Sequence, residues 1–570
     1  MKNMKKLLAF ALVLVMLSAL SVTVFAAQTH TITITNNPST TGVSIIGKTF
    51  KASKVFDMTY NAAKTAYSYT IDSDGDGSWC WSTIRGTADS SGVYTNASLG
   101  LKFTPTALDA TVYTVEQTDT GGQMTAAHAQ ALTVLLNPLL ETAPSKGSAT
   151  ATAESVTIDI TPDVPGYYAV SGSATSTADP TQTVVAAVAL SNTDPVRTVA
   201  IKASAPPLTK QIVSDPAYIV LDAAGQAAAA EVGTVIHYKL TSAVPDLTGY
   251  DDYTLIFNDT MTDGLTFDAT SVKVYIKNVG DSDTPIAATK YTLITSGSTL
   301  GTYTFRLQIP YATLSDSAYS AADPIKITYD ATVNSDALTY DFENNSASID
   351  YSHSPYDTTT NHTPDHPTYV IDLNLDVLKV DTSNTATTLP GAKFKLYKIT
   401  DSTTTPETKA YYKWDATNNT ISWQTTLEAG DEFVTGTDGK LTQQIRGLGS
   451  GTYYLQETAA PQGYNPLDHD IPVVITITET PANPPTTPNP VVTVTATVDG
   501  EGAEITNGTI QLSTPHTTAH QPVATGTIGN AAGTVLPSTG GIGTTLFYVI
   551  GTILVLGAGV VLVTKRRVRD

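Results

Sequence analysis

Alternation of apolar and polar positions dominates this chain. Thr31-Ile32-Thr33-Ile34-Thr35 is a strict polar–apolar alternation and predicts a strand. The strand signal recurs at Ser155–Ile160, Gly166–Val170 and Val184–Leu190. Further along it returns in Gly233–Leu240, Tyr253–Phe257 and Ser271–Ile276. Leu375–Val380, Ala392–Ile399, Gly451–Gln456 and Val473–Thr478 continue it. Met124 to Glu141 breaks the rhythm: its Ala, Leu and Gln content predicts a helix, which Pro138 should break or kink. Two long apolar runs stand apart, Leu7 to Phe25 and Ile542 to Val563.

The pattern is that of an all-β protein in several modules. At roughly 150 residues per domain the length suggests about three. Ala205-Pro206-Pro207 reads as a joint, because consecutive prolines exclude helix. Thr358 to Pro367 is polar with two prolines and reads as a second linker or a late loop. Pro481 to Pro490 reads as a proline-rich loop or spacer. The expected segments are 27–204, 208–371 and 372–534.

The termini set the compartment. Lys2, Lys5 and Lys6, the first apolar run and Val24-Phe25-Ala26 make a secretory signal peptide over 1–26. The second apolar run, 542–563, is long enough to cross a bilayer as a helix. Lys565-Arg566-Arg567 then lies on the cytoplasmic side. The formal charge of −21 excludes a nucleic-acid partner, whose phosphates require Lys and Arg, and reads as surface solubility. A single cysteine, Cys80, rules out an internal disulfide; between Trp79 and Trp81 it reads as a buried apolar residue.

Just before the second run stands Leu536-Pro537-Ser538-Thr539-Gly540. Motif, span and basic tail in that order resemble the LPXTG cell-wall sorting signal of Gram-positive surface proteins, over 536–570. The resemblance implies sortase cleavage between Thr539 and Gly540 and transfer of the Thr539 acyl group to an amine.

Three further stretches extend the resemblance. Leu378-Lys379-Val380-Asp381, Leu389-Pro390-Gly391-Ala392-Lys393-Phe394 and Tyr453-Tyr454-Leu455-Gln456-Glu457-Thr458 through Tyr464 resemble a CNA-B (SpaA-type) domain with its E-box. Leu208-Thr209-Lys210-Gln211, Phe257-Asn258-Asp259-Thr260 and Asn345-Ser346-Ala347-Ser348 resemble the middle domain of backbone pilins of sortase-assembled pili. The family implies tandem immunoglobulin-like β-sandwiches in which a Lys and an Asn condense spontaneously, aided by an acid. Burial lowers the lysine pKa and raises the carboxyl pKa, so a buried triad shifts both groups toward reaction. The resemblance assigns Lys210, Asp259 and Asn345 to one such site, with Asn344 as rival acceptor. It assigns Lys379, Glu457 and Asn530 to another, with Asn507 as rival. In 27–204 no triad can be assigned; Lys51, Lys54 and Asn192 read as surface residues. A shaft subunit also needs an acceptor lysine late in its first domain. Lys202 holds that place, without the flanking Tyr-Pro and Asn of the family motif.

The expected function is the major subunit of a covalently polymerised pilus, or alternatively a monomeric wall-anchored adhesin or minor pilin. The implied partners are pilin-class and housekeeping sortases, other copies of the chain, ancillary pilins, peptidoglycan and host surface ligands. No cofactor and no metal is expected. Asp72-Ser73-Asp74-Gly75-Asp76-Gly77 opens like a calcium loop, but Thr83 stands where a bidentate Glu is needed, so it reads as an acidic turn. No motif for catalytic turnover is present, and His353 to His366 reads as a loop with exposed histidines.

Overall fold

The computed structural model describes residues 30–38, 42–61, 66–119, 124–160, 166–176, 183–192, 196–201, 205–247, 250–353, 355, 359–480, 490–512, 521–534 and 542–567. It divides into two compact units. One comprises Met1–Asp372, Ile477–Thr493 and Thr509–Gln521; the other comprises Leu373–Thr476, Val494–Gly508 and Pro522–Asp570.

In the first unit, Thr31–Thr35 runs antiparallel to Ser155–Asp159 and parallel to Val196–Ala200. Its isoleucines are buried and its threonines are not, as the alternation requires. A ten-stranded sheet follows, with Thr49–Tyr60 at its centre between Gly166–Ser176 and Tyr67–Asp72. Two helices cover it, Ser78–Ile84 and Ala126–Leu136. The second is capped by the Thr125 hydroxyl, which accepts from the His128 amide, and it passes at Asn137–Leu139 into a tighter 3₁₀ turn containing Pro138. Trp81, Phe103, Cys80, Leu132 and Leu136 fill the core beneath. Burial pushes the Cys80 thiol up to about 12.

The same unit contains a β-sandwich. One sheet has the order Thr209–Ile212, Val235–Ala243, Pro324–Val333, Leu265–Ile276. The facing sheet places His366–Ile371, Glu343–Ser352, Leu255–Met261 and Phe305–Gln308 side by side. Tyr238, Tyr329, Phe257, Phe305 and Tyr351 are fully buried between them. Of the stretch 358–367, expected as a linker or a late loop, 363–365 is loop, whereas Thr360–His362 pairs with Ser352–Asp350 and His366 and Pro367 begin a strand that pairs with Ala347–Glu343. Proline is tolerated there because it stands at the start of the strand, ahead of the residues that pair on both sides. The histidines are not a uniformly exposed group either, since His353 is buried.

In the second unit Leu373–Asp381 lies parallel to Val523–Asn530, and Glu504–Thr506 flanks the latter. A second sheet carries Thr420–Gln424, Thr408–Asp415, Lys393–Asp401, Gly451–Ala459 and Ile471–Thr480 in that order. Ile542–Arg567 forms one continuous helix, and its apolar stretch has mean hydropathy 2.6. A helix satisfies every backbone group internally, as a lipid environment demands. The sorting motif 536–540 lies outside the described residues, as do the signal peptide, Lys202 and the spacer at 481–489.

Candidate functional site

Two buried clusters gather the residues that the sequence singles out. In the first, Lys210 stands on the short strand after the Pro-Pro joint. Asp259 and Asn345 stand on neighbouring strands of the opposite sheet, where Met261 pairs with Asn345 and Asp259 with Ala347. Both therefore point to the same face, inward. The Lys210 ammonium nitrogen lies 2.6 Å from Asp259 Oδ2 and 2.5 Å from Asn345 Oδ1. The side chains of Lys210 and Asp259 are wholly buried. Desolvation lowers the Lys210 pKa to about 8, against the raising pull of Asp259, and raises that of Asp259, against the lowering pull of Lys210. Asn344, the rival acceptor, is also buried, but its amide donates to the Thr368 carbonyl on the adjacent strand.

Two tyrosines complete this cluster. Tyr238 and Tyr329 are cross-strand partners, and their rings stack with centroids 5.4 Å apart. The Lys210 nitrogen is 5.4 Å from one ring centre and 5.6 Å from the other. The Tyr329 hydroxyl donates to Asp259 Oδ2 at 2.6 Å and accepts from Asn345 Nδ2 at 3.2 Å. Sequence reasoning missed both. Their only signal was an aromatic residue at an inward position of an alternating strand, which ordinarily means core.

In the second cluster Lys379 and Asn530 lie on adjacent parallel strands, Lys379 opposite Ile528 and Asn530 opposite Asp381. Lys379 Nζ donates to Asn530 Oδ1 and lies 3.6 Å from Glu457 Oε1. Asn530 Nδ2 donates to Glu457 Oε1 at 3.1 Å and to the Asn465 carbonyl at 2.8 Å. Glu457 Oε2 accepts from the Leu467 amide at 2.8 Å. Tyr464 holds this loop over the site by donating to Asp381 Oδ2 at 3.0 Å. Desolvation lowers the Lys379 pKa to about 8, opposed by Glu457. Asn507, the rival acceptor, sits exposed at a turn with φ of 57°. Phe394 replaces the aromatic pair, its ring centre 5.7 Å from Lys379 Nζ.

Of the remaining candidates, Lys51 and Lys54 do not converge in this way, and the side chain of Asn192 is not among those described. Lys51 donates to the Glu141 carbonyl at 2.7 Å. Lys54 is a correction, being buried rather than at the surface. Its nitrogen lies 3.1 Å from Asp57 and 3.3 Å from Asp76, and a register shift opposite Tyr167 and Tyr168 interrupts the alternation beside it. Asp76 belongs to the turn that opens like a calcium loop, and it takes Lys146 at 2.9 Å as well. These cations lower the Asp76 pKa, the Lys146 hydrogen bond most. Among the described residues no cluster of three metal-ligating side chains occurs.

Comparison with known proteins finds family matches in the last third of the chain. Residues 374–485 match the SpaA family, a prealbumin-like fold domain. That stretch is similar to a SpaA-type domain. Residues 530–569 match the LPXTG cell-wall anchor motif of Gram-positive bacteria, which puts the protein at the cell wall. The SpaA-type match contains Lys379 and Glu457, whereas Asn530 is the first residue of the anchor match. No curated protein sequence matches the chain. Among solved structures, the T6 backbone pilin of serotype M6 Streptococcus pyogenes is 15% identical, with TM-score 0.48, covering 89% of this chain and 99% of its own. The full-length major pilin SpaD from Corynebacterium diphtheriae is 14% identical, with TM-score 0.42, covering 89% and 98%. The pilus 2b backbone protein of group B streptococcus is 24% identical, with TM-score 0.38, covering 58% and 99%.

Proposed function

We propose that this chain is the shaft subunit of a covalent surface pilus, stiffened by two internal Lys–Asn amides. The observation that carries this reading is the pair of buried Lys–acid–Asn clusters, each joining an early strand of its segment to a late one. Lys210 and Asn345 are 135 positions apart, and Lys379 and Asn530 are 151 apart. Each lysine would attack the amide carbon of its asparagine and expel ammonia, with Asp259 or Glu457 moving the proton. Burial supplies a lysine that gives up its proton readily, and the fold supplies the alignment that converts a slow bimolecular step into a local one. The buried carboxyl beside each lysine is also what an ordinary salt bridge needs. The amide beside both is what a salt bridge does not need.

Linkage between subunits would use Thr539 as acyl donor and Lys202 as acceptor, with a pilin-class sortase. A housekeeping sortase would join the last subunit to peptidoglycan. Ancillary pilins and host surface ligands are the remaining partners of such a fibre.

Intact mass of the mature protein tests the amides. Two losses of roughly 17 Da each are expected, one absent in Lys210→Ala and the other in Lys379→Ala. A mass with no deficit sinks the crosslinks. A ladder of high-mass species formed with a pilin sortase, and abolished by Lys202→Ala, is the expected sign of the shaft role. A ladder that survives the change removes Lys202 as acceptor. If no ladder forms, the protein is a monomeric wall-anchored adhesin or a minor pilin.

A further inference from the structure

The two clusters differ in how the acid meets the asparagine nitrogen. In the second, the acid touches the asparagine nitrogen directly, at 3.1 Å. In the first, the hydroxyl of Tyr329 stands between Asp259 and Asn345 Nδ2, at 2.6 Å and 3.2 Å. That nitrogen is the one that must leave as ammonia, and an amide nitrogen leaves only when protonated. Building on the amide reading above, we propose that Tyr329 is a catalytic residue of the Lys210–Asn345 condensation, relaying a proton from Asp259 to the departing nitrogen.

The step balances. The Lys210 Nζ lone pair attacks Asn345 Cγ and a C–N bond forms. Tyr329 gives its hydroxyl proton to Nδ2 and takes the proton of the Asp259 carboxyl. The Cγ–Nδ2 bond breaks and ammonia leaves. Asp259 Oδ2, 2.6 Å from Nζ, then accepts the proton that Nζ must shed. Asp259 ends as it began, and no outside reactant is consumed.

The surroundings suit a relay. Tyr329 is fully buried, and its ring is fixed by the Tyr238 stack and by Phe305 edge-on at 5.0 Å. Burial and the Asp259 charge hold its phenol well above the ordinary value, so it keeps its proton until the transfer. One carboxylate oxygen, Oδ2, serves both Lys210 and Tyr329, while Asp259 Oδ1 is buried with no hydrogen-bond partner. The acid thus reaches the nucleophile directly and the leaving nitrogen through the hydroxyl. Phe394, beside Lys379 in the other cluster, has no hydroxyl with which to relay.

The full chain is synthesised in a cell-free reaction with detergent. Samples are digested with trypsin over time and the two crosslinked peptides quantified. Tyr329→Phe keeps the ring stack and removes only the hydroxyl. The Lys210–Asn345 peptide should then appear about 100-fold more slowly, a typical contribution of positioned proton transfer, while the Lys379–Asn530 peptide keeps its rate. Replacing Tyr329 with fluorinated tyrosines should shift the first rate with phenol acidity, which packing alone would not do. Tyr329→Phe in a Lys210→Ala background should melt where Lys210→Ala melts, separating chemistry from folding. A first-cluster rate unchanged within about twofold, or unresponsive to phenol acidity, overturns the relay. If the Lys210–Asn345 peptide never appears in the unsubstituted chain, the amide reading itself fails.

Discussion

Lys210 and Lys379 show how little a residue's name says about its state. A lysine is ordinarily a solvated cation, yet here desolvation brings each to about 8, inside a shell of acid, amide and aromatic ring. Glu343, two positions before Asn345, illustrates the same physics without the chemistry. Its Oε2 accepts from the Thr262 hydroxyl and from the Gly264 amide at 3.0 Å, whereas Oε1 is buried with no hydrogen-bond partner. Desolvation raises its pKa to about 7 from an ordinary 4.5. The folded state therefore binds more protons than the unfolded state between those values, and stability falls as pH rises through 4.5 to 7. The full shift corresponds to roughly 3 kcal/mol lost by pH 8. Glu343→Gln keeps one acceptor and cannot ionise, so it should be more stable than the parent at pH 8 and should lack this pH slope. Urea midpoints at pH 4 and pH 8, with both chains in a Lys210→Ala background, measure it. Parallel pH profiles would show that Glu343 stays exposed to water. The alternation around Asn345 said that Asn344 and Asn345 must face opposite ways. It could not say that both would be buried, because each face of that strand is covered.

At the scale of elements, period-two patterning found the central strands and missed most of the edges. Val235–Ala243 and Leu255–Met261 were legible because apolar residues dominate their inward positions, Ser242 and Asp259 being the exceptions. Ser78–Ile84 was not, since a seven-residue helix after an acidic turn carries too few apolar repeats to show a period. The strand Thr360–His362 was hidden by its composition, and it takes its form from the neighbouring strand rather than from its own sequence. The sandwich around Lys210 rests on large aromatic contacts, such as Phe267 stacked on Phe305 at 4.4 Å. Phe257 is fully buried among them, and Phe257→Ala should cost about 3–5 kcal/mol through transfer and cavity terms. Introduced together with Lys210→Ala, it should lower the denaturation midpoint by the full amount or unfold that sandwich. With the amide in place the sandwich should stay folded at 25 °C, because closing so long a loop supplies about 5 kcal/mol in the chain-entropy model. Equal losses of folded protein in the two backgrounds would remove the amide as a stabiliser.

For the molecule as a whole, the proposed amides matter through where they sit. A pull applied near residue 202 and near Thr539 would enter each sandwich at an end already tied by a covalent bond. The Lys210–Asn345 span of 135 positions would then be excluded from extension. Single-molecule stretching between those points should show neither sandwich lengthening in the parent chain. Lys210→Ala should release a new step on the order of 400 Å, from about 3.3–3.6 Å per extended residue less the folded span. A parent chain that already yields that step would show the middle segment to be uncrosslinked. With the proposed sortase cleavage between Thr539 and Gly540, the anchor helix would play no part in this load path.

The sequence by itself determined what depends on local order. The sorting motif, the apolar span and the basic tail are read in one dimension, and so is the alternation that makes strands. It also nominated Lys379 and Glu457, because each lies within a short recognisable string. What only the tertiary structure decided is which groups meet. Asn530 rather than Asn507 stands beside Lys379 because one ends a buried parallel strand and the other turns outward. Lys54 proved buried because the Asp76 turn folds back over it. Tyr329 entered the first cluster because two sheets face each other there. Proximity between residues over a hundred positions apart is fixed by packing, and no local pattern records it.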